Sequence, residues 1–175
     1  CPGRSIADII EQMRSACLWL WRKYRKRIFI YGHSAGGHLA ACMVAQDWKA
    51  VASDTPADLV PAAYAISGVF DLAPLGHVSQ NADLRLDEAE ARRVSPLHWK
   101  VPAGRTLDAV VGALESNEFL RQSRAIVEAW GARGVAARYE EIAHTNHYTV
   151  VDPLGDPGSA MTRRVAELAH MVSAL

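Results

Sequence analysis

Three residue types that can turn a weak hydroxyl into a nucleophile occur along this chain in a workable order: a serine, a carboxylate and a histidine. Ser34 sits in Gly32-His33-Ser34-Ala35-Gly36, the GxSxG spacing of a nucleophile elbow, and Gly37 follows. The glycines there have a steric purpose. A strand and a helix meet at a strained turn, neighbours without a Cβ let them approach, and the serine hydroxyl is left exposed. A glycine turn with an incidental serine is the bland alternative, and the apolar run before the motif and the alanine-rich stretch after it weigh against that.

A serine hydroxyl is a poor nucleophile until a base takes its proton. In this arrangement the acid and then the histidine each follow a later strand. Glu115 lies just past the apolar run 107–113, where a carboxylate can orient an imidazole, although a solvated surface glutamate is the competing reading. Asp108 is at the wrong end of that run and Glu118 already belongs to the next helix. The base is His147 or His144, both within His144-Thr145-Asn146-His147-Tyr148, and spacing does not choose between them. The N–H of Ala35 can supply one oxyanion donor. His33 and His38 flank the elbow as packing or supporting residues, and His77, His98 and His170 have no partner that the sequence names. No cysteine or carboxylate triad accompanies His144 and His147, so a metal is not expected.

The elements that must hold these residues follow from periodicity. Ser5, with Asp8 three residues on, starts a helix in the manner of a capping box. Its apolar face is Ile6, Ile9, Ile10, Met13, Cys17 and Leu20, and it ends among the five bases of residues 22–27. Those bases could form a nucleic-acid patch, but cations at a helix C-terminus offset the negative end of its dipole, which is the simpler account. Residues 28–31 read as a buried strand, and a helix is expected from Leu39 to about Trp48. Further strands are expected at 62–66, 107–113 and 135–142, with a short helix at 87–93. Ser116 can cap a helix that Gly131 and Gly134 stop. The last helix is expected to start at Asp156-Pro157 with proline at its first position. Strands alternating with helices imply a mostly parallel, doubly wound α/β sheet, read here as a single domain over 1–175.

Composition sets the boundaries. The chain has 175 residues, half of them hydrophobic and 22% charged, with zero formal net charge. Such a balance gives no general pull toward nucleic acid or an acidic surface, and the longest apolar run falls far short of a membrane span. A cytoplasmic protein acting on a small molecule is the expectation, as a homodimer if it assembles. Cys1, Cys17 and Cys42 read as free thiols in a reducing compartment.

Several stretches resemble the kynurenine formamidase (arylformamidase) branch of the α/β-hydrolases. They are the elbow extended through Gly37-His38-Leu39, Ser67-Gly68-Val69-Phe70-Asp71-Leu72 followed by Ser95-Pro96-Leu97, and residues 115–123, with Glu115-Ser116-Asn117-Glu118-Phe119-Leu120-Arg121-Gln122-Ser123. The elbow is shared with many esterases; the Glu-Phe-x-x-Gln-Ser stretch is the more specific part. The resemblance implies an α/β-hydrolase fold and cofactor-free hydrolysis of N-formyl-kynurenine to formate and kynurenine. It implies Ser34 as nucleophile and His147 as base. Glu115 stands where the family usually has aspartate. An upstream His-Gly-Gly segment that completes the family's oxyanion hole has no counterpart here, nor do the family's earlier strands. The chain is therefore read as the C-terminal part of such a hydrolase, with an open apolar edge at residues 28–31. A carboxylesterase on small acyl or aryl esters and an inactive remnant or interaction module are the other readings.

Overall fold

The computed structural model describes residues 3–175; Cys1, read above as a free thiol, lies outside them. Four strands, β1 (Phe29–His33), β2 (Ala62–Ile66), β3 (Thr106–Gly112) and β4 (Ala136–Ile142), form one sheet in the order β1-β2-β3-β4. Every neighbouring pair is parallel. Parallel neighbours need crossovers, and helices supply them. The helices are α1 (Ile6–Tyr24), α2 (Ala35–Val44), α3 (Trp48–Val51), α4 (Asn81–Leu84), α5 (Glu88–Arg93), α6 (Asn117–Gly131) and α7 (Ala160–Ser173).

Strand side chains alternate between faces, and the two apolar clusters follow that alternation. Ala63, Ala65, Leu107 and Ala109 pack under α1, α2 and α6, where Trp130 and Ile126 are fully buried. Tyr64, Ile66 and Val110 face the other way, against Met161 and Leu168 of α7. The small alanines of β2 leave room for α2 to lie close on the sheet. β2 is buried along its whole length. The outer strand β4 has no fully buried residue and carries Arg138, Glu140 and Glu141, which suits an edge. β1 pairs only with β2 among the described residues, and Tyr31 on it is exposed.

The Ser5–Asp8 capping box forms as expected, with both reciprocal bonds present. The apolar stripe of α1 runs through Ile10, Met13, Cys17, Leu18 and Trp21; Leu20, assigned to it from the sequence, is not packed on the core. Two boundaries differ more. α2 begins at Ala35, directly after Ser34, because the helix tolerates Gly36 and Gly37 in its first turn despite their low propensity. It ends at Val44, and Trp48 starts the separate turn α3. α7 begins at Ala160, capped by the Ser159 hydroxyl, which accepts from the Thr162 N–H. Pro157 lies in the turn before it, where the chain is held by the Asp156 carboxylate accepting from the Gly158 N–H.

The basic segment that ends and follows α1 is engaged within the chain. Arg22 pairs with Asp54 and Arg27 with Asp58, and the Lys23 ammonium lies over the Trp19 and Tyr24 rings. Cys17 and Cys42 are free and buried; burial pushes the Cys17 thiol up to about 11 and the Cys42 thiol higher still, so both stay protonated.

Asp108, set aside as an acid, is a brace. Its buried carboxylate accepts from Arg138 on β4 at 3.2 Å and from Arg164 Nε on α7 at 2.8 Å. Truncating it would leave two guanidinium groups without their shared acceptor. Asp108→Ala is expected to lower unfolding stability by about 1.5–3 kcal/mol in urea titration, without changing the position of residues at the other end of the strands.

Candidate active site

The strand ends bring the sequence-predicted residues together. His33, Ile66 and Val110 are in register across β1, β2 and β3, so the segments leaving these strands emerge side by side at the carboxyl edge of the sheet, where ligands bind in such folds. Two further bonds tie the exits: the Ser34 N–H donates to Ile66 O at 2.8 Å and the Ser67 N–H to Val110 O at 2.6 Å.

Ser34 has φ 58° and ψ −116°, a conformation rare for a residue with a side chain. The surrounding glycines make it affordable. A Cβ on Gly32 would come within 2.6 Å of the Gly36 carbonyl, and one on Gly37 within 2.8 Å of Gly68 Cα. At Gly36 the sequence and structure part: a Cβ there would meet nothing within 4 Å, so Gly37 is the second residue that sterics require. Ala35 is the first residue of α2, and its N–H has no carbonyl a turn earlier in the helix to bond. That N–H sits at the positive end of the α2 dipole and is free to donate to a developing oxyanion.

His147 and Glu115 complete a continuous hydrogen-bonded series. His147 Nε2 is 3.1 Å from Ser34 Oγ, and His147 Nδ1 is 2.7 Å from Glu115 Oε2. His144, the competing histidine, is exposed in the turn after β4, with φ 61°. The loop that carries His147 is fixed by its own side chains: Asn146 Oδ1 accepts from the Tyr148 and Thr149 N–H groups, and Thr145 Oγ1 donates to Ile142 O. The Leu114 N–H donates to Thr145 O, which ties the acid loop to the histidine loop.

The Glu115 side chain is wholly buried. A buried carboxylate needs partners on both oxygens. Oε2 meets His147, while Oε1 accepts from the Gly112 N–H at 2.8 Å and from Ser67 Oγ at 2.5 Å. The extra methylene of glutamate is accommodated by folding the side chain back over the end of β3 onto these donors. A solvated surface glutamate is therefore not what Glu115 is.

Three residues here, Ser67, Phe119 and Gln122, had no site role in the sequence reading, whereas His33 was read as a packing or supporting residue. Ser67 braces Glu115, from a backbone position with φ 47°. Phe119, assigned to the apolar face of α6, packs against the His147 ring at 4.5 Å between centroids, tilted by 34°. His33 lies against the same ring at 4.6 Å; burial first, and His147 second, hold its imidazole below the ordinary value, so it stays uncharged beside His147. Gln122 clamps the loop after β2: its Oε1 accepts from the Phe70 and Asp71 N–H groups, and its Nε2 donates to Asp71 O and Glu118. His38 is buried and its Nε2 donates to Val94 O at 2.8 Å. His98 approaches the Asp71 carboxylate at 3.8 Å, a partner the sequence did not name.

Chemically, this arrangement can polarise a hydroxyl, accept its proton on an oriented imidazole and return it to a leaving group. Together with the parallel sheet and the strained strand–turn–helix, it has the form of an α/β-hydrolase site. The fold is that of the α/β-hydrolases, and solved structures bear it out. A Silicibacter protein described as a thioesterase superposes with a TM-score of 0.79 at 29% identity, covering 100% of this chain and 61% of its own. An esterase from Thermogutta terrifontis, solved with butyrate, gives 0.68 at 26% identity, covering 97% of this chain and 66% of its own. No family model matches the chain. Among curated proteins, the kynurenine formamidase of Danio rerio is 28% identical over 177 residues, covering 95% of this chain. That of Salmo salar is 28% identical over 176 residues. The chain spans 58% of the length of each of these two relatives.

Glu115→Gln is expected to lower kcat on the order of 10²–10⁴-fold, because an amide can favour the wrong imidazole tautomer. Ser67→Ala should lower it about tenfold by removing one charge-assisted bond, and His144→Ala should leave it within about twofold. Steady-state kinetics on a chromogenic ester checks all three.

Proposed function

We propose that the chain carries the nucleophile, base and acid of a serine hydrolase: Ser34 attacks a carbonyl carbon, His147 moves the proton, and Glu115 orients His147. The observation behind this is the unbroken series from Glu115 Oε2 through His147 to Ser34 Oγ at 2.7 and 3.1 Å. Attack transfers the Ser34 proton to His147 Nε2 and forms a tetrahedral adduct whose oxyanion faces the Ala35 N–H. Collapse returns the proton to the leaving atom and leaves Ser34 acylated. Water, deprotonated by the same imidazole, then releases the acid.

The substrate reading that rests on the curated relatives is an N-formyl aryl amide, N-formyl-kynurenine, cleaved to formate and the free amine. A second reading, a carboxylesterase on small acyl or aryl esters, is favoured by a cavity beside Ser34 lined by Leu39, Val69, Leu72 and Phe119, with no charged residue in its described lining, and by the esterase and thioesterase neighbours. Either reading makes the same demand on Ser34. Ser34→Ala is expected to abolish turnover of both N-formyl-kynurenine and p-nitrophenyl acetate by the full chain; activity that survives the substitution would overturn the mechanism.

A further inference from the structure

Ser34 opens onto a cavity of about 430 Å³. Its walls come from separate parts of the chain: Ile6 of α1, Leu39 of α2, Val69, Leu72 and Leu75 of the loop after β2, and Phe119 of α6. No aspartate, glutamate, lysine or arginine contributes to the described lining. Besides Ser34, the polar side chain that reaches it is His38, whose Nε2 is already committed to Val94 O and whose imidazole burial keeps uncharged. A carboxylate or ammonium placed in this space would lose its water and find no partner. A hydrocarbon would lose water and gain contacts. The space is nearly three times the ~150 Å³ that suffices for benzene in an apolar cavity.

The side of the scissile bond follows from where the base lies. The leaving atom must come within reach of His147 Nε2 to receive its proton, and the oxyanion must face the Ala35 N–H. The remaining substituent on the carbonyl carbon, the acyl group, then points away from His147. His147 does not line the cavity. Phe119 stands between them, packed against the His147 ring and forming part of the cavity wall.

We infer that this cavity is the acyl subsite and that it takes an uncharged hydrocarbon acyl group of several carbons. The inference rests on the serine-hydrolase reading of Ser34 and goes beyond the formamide one: a formyl group places only a hydrogen on this side and leaves the cavity unfilled. The loop 68–72 gives the subsite a defined shape, because Gln122 holds the Phe70 and Asp71 N–H groups and Ser95 Oγ accepts from the Leu72 N–H at 2.8 Å.

The test is a series of p-nitrophenyl esters with one leaving group, acetate, butyrate, hexanoate and hemisuccinate, on the full chain, with fluorophosphonate labelling to count competent sites. The expected result is a kcat/KM that rises with acyl length by up to about fourfold per methylene, with the charged hemisuccinate on the order of tenfold or more below butyrate. Val69→Phe and Leu75→Phe, each narrowing the cavity from a different position, should lower the hexanoate-to-acetate ratio in protein that still labels. A flat or falling profile, equal turnover of hemisuccinate and butyrate, or unchanged ratios in both variants overturns the subsite in a protein whose Ser34 labels. Absence of both labelling and turnover overturns the serine-hydrolase reading itself, and the subsite with it.

Discussion

A carboxylate with no exposed surface sits at the end of β3, and the arrangement of the site depends on how its charge is held. Glu115 is supplied with a backbone N–H from Gly112, a hydroxyl from Ser67 and the imidazole of His147. These come from the exits of β3, β2 and β4. Taking such a charge out of water is costly unless each partner is in place, so the carboxylate both needs the sheet register and fixes the loops that follow it. The bond from the Leu114 N–H to Thr145 O closes the same arrangement through the backbone.

The second constraint is steric and lies at the elbow. Ser34 keeps a left-handed φ because β1 and α2 meet closely enough that Gly32 touches the Gly36 carbonyl and Gly37 touches Gly68. Burial of α2 against the alanines of β2 provides the packing that can hold this strain. The positioning is thus divided: packing holds Ser34, and hydrogen bonds hold Glu115 and His147. The apolar cavity beyond Ser34 adds a third element, in which selectivity would come from the absence of charge rather than from any specific polar contact.

Local signals made much of this legible in the sequence. The elbow announces itself because Gly32 and Gly37 meet its steric requirement, although the motif's own Gly36 does not, and the strand before it is a continuous apolar run. The Ser5–Asp8 box and the order of Ser34, Glu115 and His147 are likewise readable from neighbours in the chain. Helix propensity misplaced the start of α2, since tertiary packing tolerates Gly36 and Gly37 in a first turn. Pro157 suggested a helix start that Ser159, a better cap, takes instead. What could not be read were roles made by residues far apart in sequence. Ser67 and Gln122 lie in the stretches that resemble the formamidase branch, yet their tasks appear only when β2 is set beside β3 and α6. Phe119 has the spacing of a core residue and instead faces His147 and the cavity. Spacing left His147 and His144 open; the family resemblance pointed to His147, and it is His147 that lies against Ser34.

The central claim is that Ser34 owes its reactivity to His147. The most direct measurement is the rate of phosphonylation by a fluorophosphonate, followed by mass spectrometry with peptide mapping, in the full chain and in His147→Ala. The account predicts a single adduct on Ser34 in the parent and a labelling rate lower by at least about 10²-fold in the variant. An adduct on another residue, or an undiminished rate at Ser34 without His147, would contradict it.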